Sequence, residues 1–403
     1  MQFKSRSVRA ALLASALMVG ATSAHAATIN LINTGGVEQG SAAYYGFRAA
    51  ANFWGQRLTN DVQINLEVGF GHLGPNILGS TGSNVDTALV QDVYSALAAN
   101  AHSALDATAV AGLRPLEPSQ YSGFGIDGIS MVTPGYTDPV AKTGIDTAHP
   151  VFDNDGSVNN VLLGSTTANL KALGLRAADD PTVDGSVTFS SDFAFDFHPN
   201  DGISAGQIDF VGVAIHEIGH ALGFVSAVDD YDFLGLPNGP AANANCGGFL
   251  CKNYPVNDTW WGYTGDLFRY VAPGVLDWNP GDPNYFSVDG GVTNMAGFST
   301  GSFNGDGWQG SHWKTPGIPC QNFIGIMNPY ICNGKQGEVT GKDLAYFDAI
   351  GWNLDGNYDP DGGVFFNTAD AFHAVPEPGT WALVIVGMGL TGAMLRRRRH
   401  AIA

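Results

Sequence analysis

Apolar positions along this chain change period several times, and each change marks a predicted element. Ile29 to Ile32 reads as a first strand. Ser41 to Leu58 places Tyr45, Phe47, Ala51, Phe53 and Trp54 at helical spacing, and Val62 to Phe70 alternates as a half-buried strand does. A second helix is predicted from Asp86 to Ala99. Val187, Phe189, Phe193, Phe195 and Phe197, close to period two, predict a strand over Ser186 to Phe197, either a core strand or a candidate for docking an extended peptide by strand addition. The next stripe, Ile208, Val211, Ile215, Ile218 and Leu222, is helical, and the capping-box form of Ser204 to Gln207 places its start there. After Gly223 the pattern lapses. Leu236 to Asn257 is rich in Gly, Pro and Asn, Asp266 to Tyr270 is a short ordered piece, and Asn279 to Gly310 is mostly turns, so this stretch reads as an inserted cleft wall. Asp343 to Ile350 predicts a closing helix stopped at Gly351, and 355–375 reads as a linker. Together these predict one α+β domain over 27–354, with an upper part to residue 223 and a loop-rich lower part over 224–354.

The helix predicted after Ser204 carries polar residues opposite its apolar stripe. His216 and His220, four residues apart, lie one above the other and can share a zinc ion. Glu217 sits about 100° round the same turn, within reach of a metal-bound water without itself ligating. Zinc lowers the pKa of such a water to about 7, and the carboxylate is placed to take its proton. A third protein ligand is required. Ser226 stands where a compact His-Glu-x-x-His-x-x-Gly-x-x-His arrangement has its last histidine. His25 and His400 lie in terminal segments and His373 in the linker, while His72, His102, His149 and His198 read as loop or surface histidines. Asp229 and Asp230 are carboxylate candidates. The remaining imidazole is His312, in Gly307-Trp-Gln-Gly-Ser-His312-Trp313-Lys, fifteen residues before Met327.

The helix text His216-Glu217-x-x-His220-Ala-Leu-Gly223-Phe, a long insertion, Ser-His312-Trp, and a methionine at Ile326-Met327-Asn328-Pro329 are together similar to the leishmanolysin branch of the metzincins. The resemblance covers roughly 186–354. It implies a metzincin-like zincin domain with a twisted mixed sheet and an active-site helix. It implies zinc held by His216, His220 and His312, Glu217 as general base, and Met327 as a support beneath the metal. The implied activity is that of a secreted zinc endopeptidase acting on peptide or protein substrates. Tyr330, next to the methionine turn, is a weaker candidate for an oxyanion contact than for packing. A different class is carried alongside: a non-enzymatic matrix or surface protein with a vestigial site, suggested by the terminal signals and a body rich in glycine.

Those signals occupy both ends. Lys4, Arg6 and Arg9, an apolar run from Ala10 to Gly20 and Ala24-His25-Ala26 have the order of a signal peptide over 1–26. At the other end Pro376-Glu377-Pro378, an apolar run over 381–395 and Arg396 to Arg399 resemble the PEP-CTERM sorting signals of Gram-negative bacteria. That resemblance implies an exosortase-type enzyme as partner and transient membrane anchoring through 381–395. Without residues 1–26 and 376–403 the body keeps 11 basic against 36 acidic residues, a net charge of −25. Such a charge argues against nucleic acid and anionic lipid as partners. Calcium is a second candidate cofactor, at Asp153-Asn-Asp155-Gly and Asp355-Gly-Asn-Tyr-Asp359-Pro-Asp361-Gly. In an exported chain four cysteines predict disulfides, and proximity favours Cys246 with Cys251 and Cys320 with Cys332.

Overall fold

The computed structural model describes residues 26–235, 245–246, 249–250, 253, 255–356 and 358–372. Residues 1–25 of the signal peptide, the sorting segment and Cys251 of the Cys246–Cys251 pairing lie outside this set. The described chain is mixed α+β, with several small sheets.

The main sheet has four strands: β1 (Thr28–Gly35), β2 (Gln63–Gly71), β3 (Gly79–Ser83) and β4 (Gly185–Ser190). Their order is β1-β2-β4-β3, with β1, β2 and β4 parallel and β3 antiparallel at the edge. β2 alternates, with Ile64, Leu66 and Val68 buried on one face and Gln63, Asn65 and Glu67 on the other, as the half-buried pattern of its sequence predicts. The connection from β1 to β2 runs through helix α1 (Ala42–Arg57), where Ser41 accepts from the Tyr44 N–H and sets the first turn.

Helix α2 (Phe210–Leu222) packs against α1 and the sheet and is almost wholly buried. Phe210 stands among Phe47, Phe70, Phe189, Phe195 and Phe197, with ring centroids 4.4–6.1 Å away. Two tryptophans serve its backbone. Trp54 Nε1 donates to the Ile215 carbonyl at 3.0 Å and Trp352 Nε1 to the Leu222 carbonyl at 2.9 Å. Both indoles are buried, so each bond satisfies a donor that would otherwise be stranded. Gly223, at φ +124°, ends the helix, and the chain turns by 88° into helix α3 (Ala227–Leu234). No single described helix is long and apolar enough to cross a membrane.

Four boundaries differ from expectation. α2 begins at Asp209, whose carboxylate caps Gly212 N–H at 3.1 Å, whereas Ser204 to Gln207 forms a separate turn. Val85–Leu89 is a strand paired with Leu162–Thr166, and the helix read from Asp86 starts only at Val90. The strand read as Ser186 to Phe197 stops at Ser190, and Phe195–Asp196 pairs instead with Ile208–Asp209. β4 moreover lies between β2 and β3, so it is not an edge; β3 is.

The fourth difference concerns 355–375, read as a linker. Strand β5 (Glu338–Thr340), leading into helix α4 (Gly341–Ala349), pairs with β6 (Val364–Asn367). Thr368 is buried beside the capping Asp209, whose carboxylate also accepts from Gly337 N–H at 2.8 Å. Ending the chain at Gly356 rather than Phe372 therefore costs at least about 2 kcal/mol, because it removes the Asp209–Thr368 bond and uncovers β5. Urea denaturation of the two lengths measures this, and midpoints that coincide would restore the linker reading.

Candidate metal centre

α2 presents His216, Glu217 and His220 on one face, one helical turn separating the imidazoles. Gly219, between the two histidines, leaves no room for a side chain unless Met327 shifts. A Cβ there would lie 2.7 Å from Met327 Sδ and 3.2 Å from its Cε. Met327 thus packs against α2 at Gly219 and is fully buried. Gly219→Ala is expected to cost about 1–3 kcal/mol by overpacking against that methionine. Because it pushes the helix from the 326–327 turn, zinc affinity falls with it; titration against a chelator, beside a thermal melt, checks both.

His312 arrives from the far end of the lower part and completes a triangle. The three Nε2 atoms stand 3.1, 3.2 and 3.3 Å apart. These contacts are not hydrogen bonds for the helix pair. His216 Nδ1 lies 2.7 Å from the Ile326 carbonyl and His220 Nδ1 2.7 Å from the Phe224 carbonyl. A carbonyl only accepts, so the proton of each ring sits on Nδ1 and each Nε2 offers a lone pair. Burial holds all three rings neutral. It lowers His216 to about 4, and with His216 beside it lowers His220 to about 3. His312 is held well below the ordinary value by burial and by the other two rings. Converging buried lone pairs repel one another unless a cation lies between them. Nitrogens about 2.0–2.1 Å from a tetrahedral zinc stand about 3.3–3.4 Å apart, close to the spacing seen. Among the described residues this is the one group of three or more His, Cys, Asp or Glu residues whose ligand atoms lie within 4.8 Å of one another.

Glu217 is 6% exposed and its Oε2 accepts from Thr81 Oγ1 at 2.7 Å. Burial raises its carboxyl to about 7, against the Thr81 bond, which lowers it. Thr81 belongs to β3, so the edge strand crosses α2 at the carboxylate; Ser83 of the same strand donates to the His220 carbonyl at 3.2 Å.

The candidates set against His312 have other partners. Asp229 accepts from the Gly310 and Ser311 N–H groups, and burial raises it to about 6. Asp230 accepts from Tyr263 Oη at 3.1 Å. Neither belongs to the triad. His72 pairs with Asp192 and His149 with Asp146, both exposed. Tyr330 Oη donates to the Asn322 carbonyl at 2.9 Å. The Asp-rich loops hold their own carboxylates: Asp153 accepts from Asn159, Asp155 from Lys142 and Ser157 N–H, and Asp361 from Lys342. Cys320 and Cys332 are bonded, with Cα atoms 5.8 Å apart, and bracket the methionine turn.

One residue that organises the centre enters the sequence reading only as the start of a helix. Asp343, at the third position of α4, is fully buried. It accepts from Ile326 N–H at 2.9 Å, Met327 N–H at 3.2 Å, Trp313 Nε1 at 2.8 Å and Thr340 N–H at 2.8 Å. It therefore ties the turn whose Ile326 carbonyl orients His216 to the residue that follows His312. A Thr340 to Asp343 capping box was the available signal, but nothing in it points to residues 313, 326 and 327.

Residues 374–399 match the PEP-CTERM protein-sorting motif. The motif indicates a secreted or cell-surface protein of a Gram-negative bacterium and implies recognition by an exosortase-type sorting enzyme. No curated protein and no solved structure matches the chain.

Proposed function

We propose that the chain is a secreted zinc-dependent endopeptidase. The observation that carries this reading is the convergence of three neutral Nε2 atoms, those of buried His216 and His312 and half-buried His220, beside a buried carboxylate, under the antiparallel edge of a sheet. His216, His220 and His312 would hold the ion. A zinc ion bound by three imidazoles, with its fourth position open, supplies an activated water and polarises a substrate carbonyl.

The remaining steps belong to the chain. Glu217 takes the proton of the attacking water and returns it to the departing amine. Thr81 engages Oε2, which leaves Oε1 for that proton. The raised carboxyl of Glu217 is suited to both halves of the transfer, since a group near neutrality gives and takes protons with little driving force lost. β3 pairs with β4 on one side and keeps the other edge for an extended peptide, which would lie across α2 at Glu217. Small residues, Gly79-Ser-Thr-Gly-Ser83, keep that edge low enough for a backbone to approach.

The alternative, a matrix or surface protein with a vestigial site, gives no account of why three neutral imidazoles converge on one point with the Nε2 lone pairs of His216 and His220 facing each other, an arrangement that costs stability without a ligand. The test is metal content and hydrolysis measured on one preparation of the exported chain. One zinc per chain with cleavage of a peptide library, both lost in His312→Ala, is the expected result. A folded chain that holds zinc and cleaves no peptide would end the endopeptidase reading.

A further inference from the structure

His312 follows His220 by 92 residues, so nothing local to α2 fixes its position. The peptide two residues before it is gripped from both sides. Gly310 N–H and Ser311 N–H donate to the two oxygens of Asp229, in the first turn of α3. The Gly310 carbonyl accepts from Arg269 Nη2. Arg269 is itself buried, paired with Asp266, bonded to the Ser299 carbonyl, and stacked at 4.0 Å on Phe298, whose ring stacks on Trp313. Asp266 in turn accepts from Ser226 Oγ and Ala227 N–H, at the start of α3. The carboxylate that grips the His312 loop and the arginine opposite it thus share one buried frame, anchored where the chain leaves the metal helix.

We propose that Asp229 and Arg269 form a clamp that positions His312 as the third metal ligand, and so set the affinity of the centre. The inference rests on the metal-centre reading but not on peptide hydrolysis. Burying an aspartate and an arginine is costly unless both are fully bonded, and here both are bonded to a single loop peptide that carries a ligand. The chemistry suits the task. A carboxylate offers two acceptors to two successive N–H groups, and a guanidinium offers a rigid fork to carbonyls. Asp229 is therefore a positioning residue rather than a ligand.

A double-mutant cycle on the exported chain tests this, read by zinc affinity in chelator competition and by the visible spectrum of the Co2+-loaded protein. Asp229→Ala is expected to weaken zinc by about 10–100-fold and to shift the Co2+ spectrum toward that of His312→Ala. The Asp229→Ala, His312→Ala double variant should bind no more weakly than His312→Ala alone, because the clamp acts through that ligand. Asp229→Asn, which keeps the volume and one acceptor, should fall between wild type and Asp229→Ala, and it carries the same cycle if the alanine variant does not fold. Wild-type affinity and spectrum in both Asp229 variants would overturn the clamp. So would a double variant weakened by the product of the two single effects, since that is the mark of independent action. Zinc binding without cleavage in the wild type leaves the clamp standing and removes only the peptidase. A wild type that takes up neither ion overturns both.

Discussion

Replacing Glu217 by Gln leaves the metal bound and lowers peptide hydrolysis by about 10²–10⁴-fold, the range a positioned proton-transfer group supplies. The amide keeps the shape of the side chain and an oxygen for Thr81 Oγ1, so the contact with β3 survives. It cannot take a proton from water. The three imidazoles do not depend on Glu217: His216 and His220 are oriented by the Ile326 and Phe224 carbonyls, and His312 by its own loop. Unchanged zinc stoichiometry with lost turnover is therefore the expected pair of results. A variant that hydrolyses peptides at the wild-type rate would remove Glu217 from its role and the proposed reaction with it. Loss of zinc in the variant would instead show the carboxylate to be part of the coordination.

Asp343→Ala is expected to destabilise the metal-free protein by at least about 3–5 kcal/mol, because three buried donors from distant residues lose their acceptor together. Ile326, Met327 and Trp313 are each buried, and the Asp343 carboxylate is the acceptor for both N–H groups and for Trp313 Nε1. Zinc affinity falls as well, since the Ile326 carbonyl that fixes the His216 ring belongs to the released turn. Asp343→Asn retains one acceptor oxygen and should lose less of both. Urea denaturation without metal, followed by zinc titration of the folded fraction, separates the two effects. An alanine variant within about 0.5 kcal/mol of wild type would show the turn to be held by other contacts, among them Trp313 N–H on the Met327 carbonyl at 3.0 Å.

What the sequence disclosed follows a physical division. His216, Glu217 and His220 are readable because a helix converts spacing directly into direction. The early elements were readable because β1, α1 and β2 each bury one continuous apolar face. His312 was reached through its neighbouring residues and a family resemblance, not through any period. The roles of Asp343, Asp229, Arg269 and Thr81 were not readable: Asp229 entered only as a rival ligand and Asp343 only as the start of a helix. Each acts on backbone or side-chain groups many positions away, and a buried polar residue looks in sequence like any exposed one. The strand misread across Ser191 to Ala194 fails for a related reason. Phe189, Phe195 and Phe197 keep the alternation because all three pack on or around Phe210, although they come from different segments. The 364–372 stretch was mistaken for linker since its glycine-flanked apolar run gives no sign that β5 awaits it.

An ion shared by His220 and His312 is also a cross-link, joining points 92 residues apart along the chain. The Cys320–Cys332 bridge closes only 12. In the chain-entropy account a link closing about 100 residues removes about 4.7 kcal/mol of freedom from the unfolded chain, against about 3 for a loop of about 15. A metal held by both residues would thus be the longer of these two staples. It also fixes an order of events. No complete coordination set exists until residue 312 has left the ribosome and folded back on the helix, so metal capture and closure of the lower half are one transition, and a chelator present during refolding should arrest both.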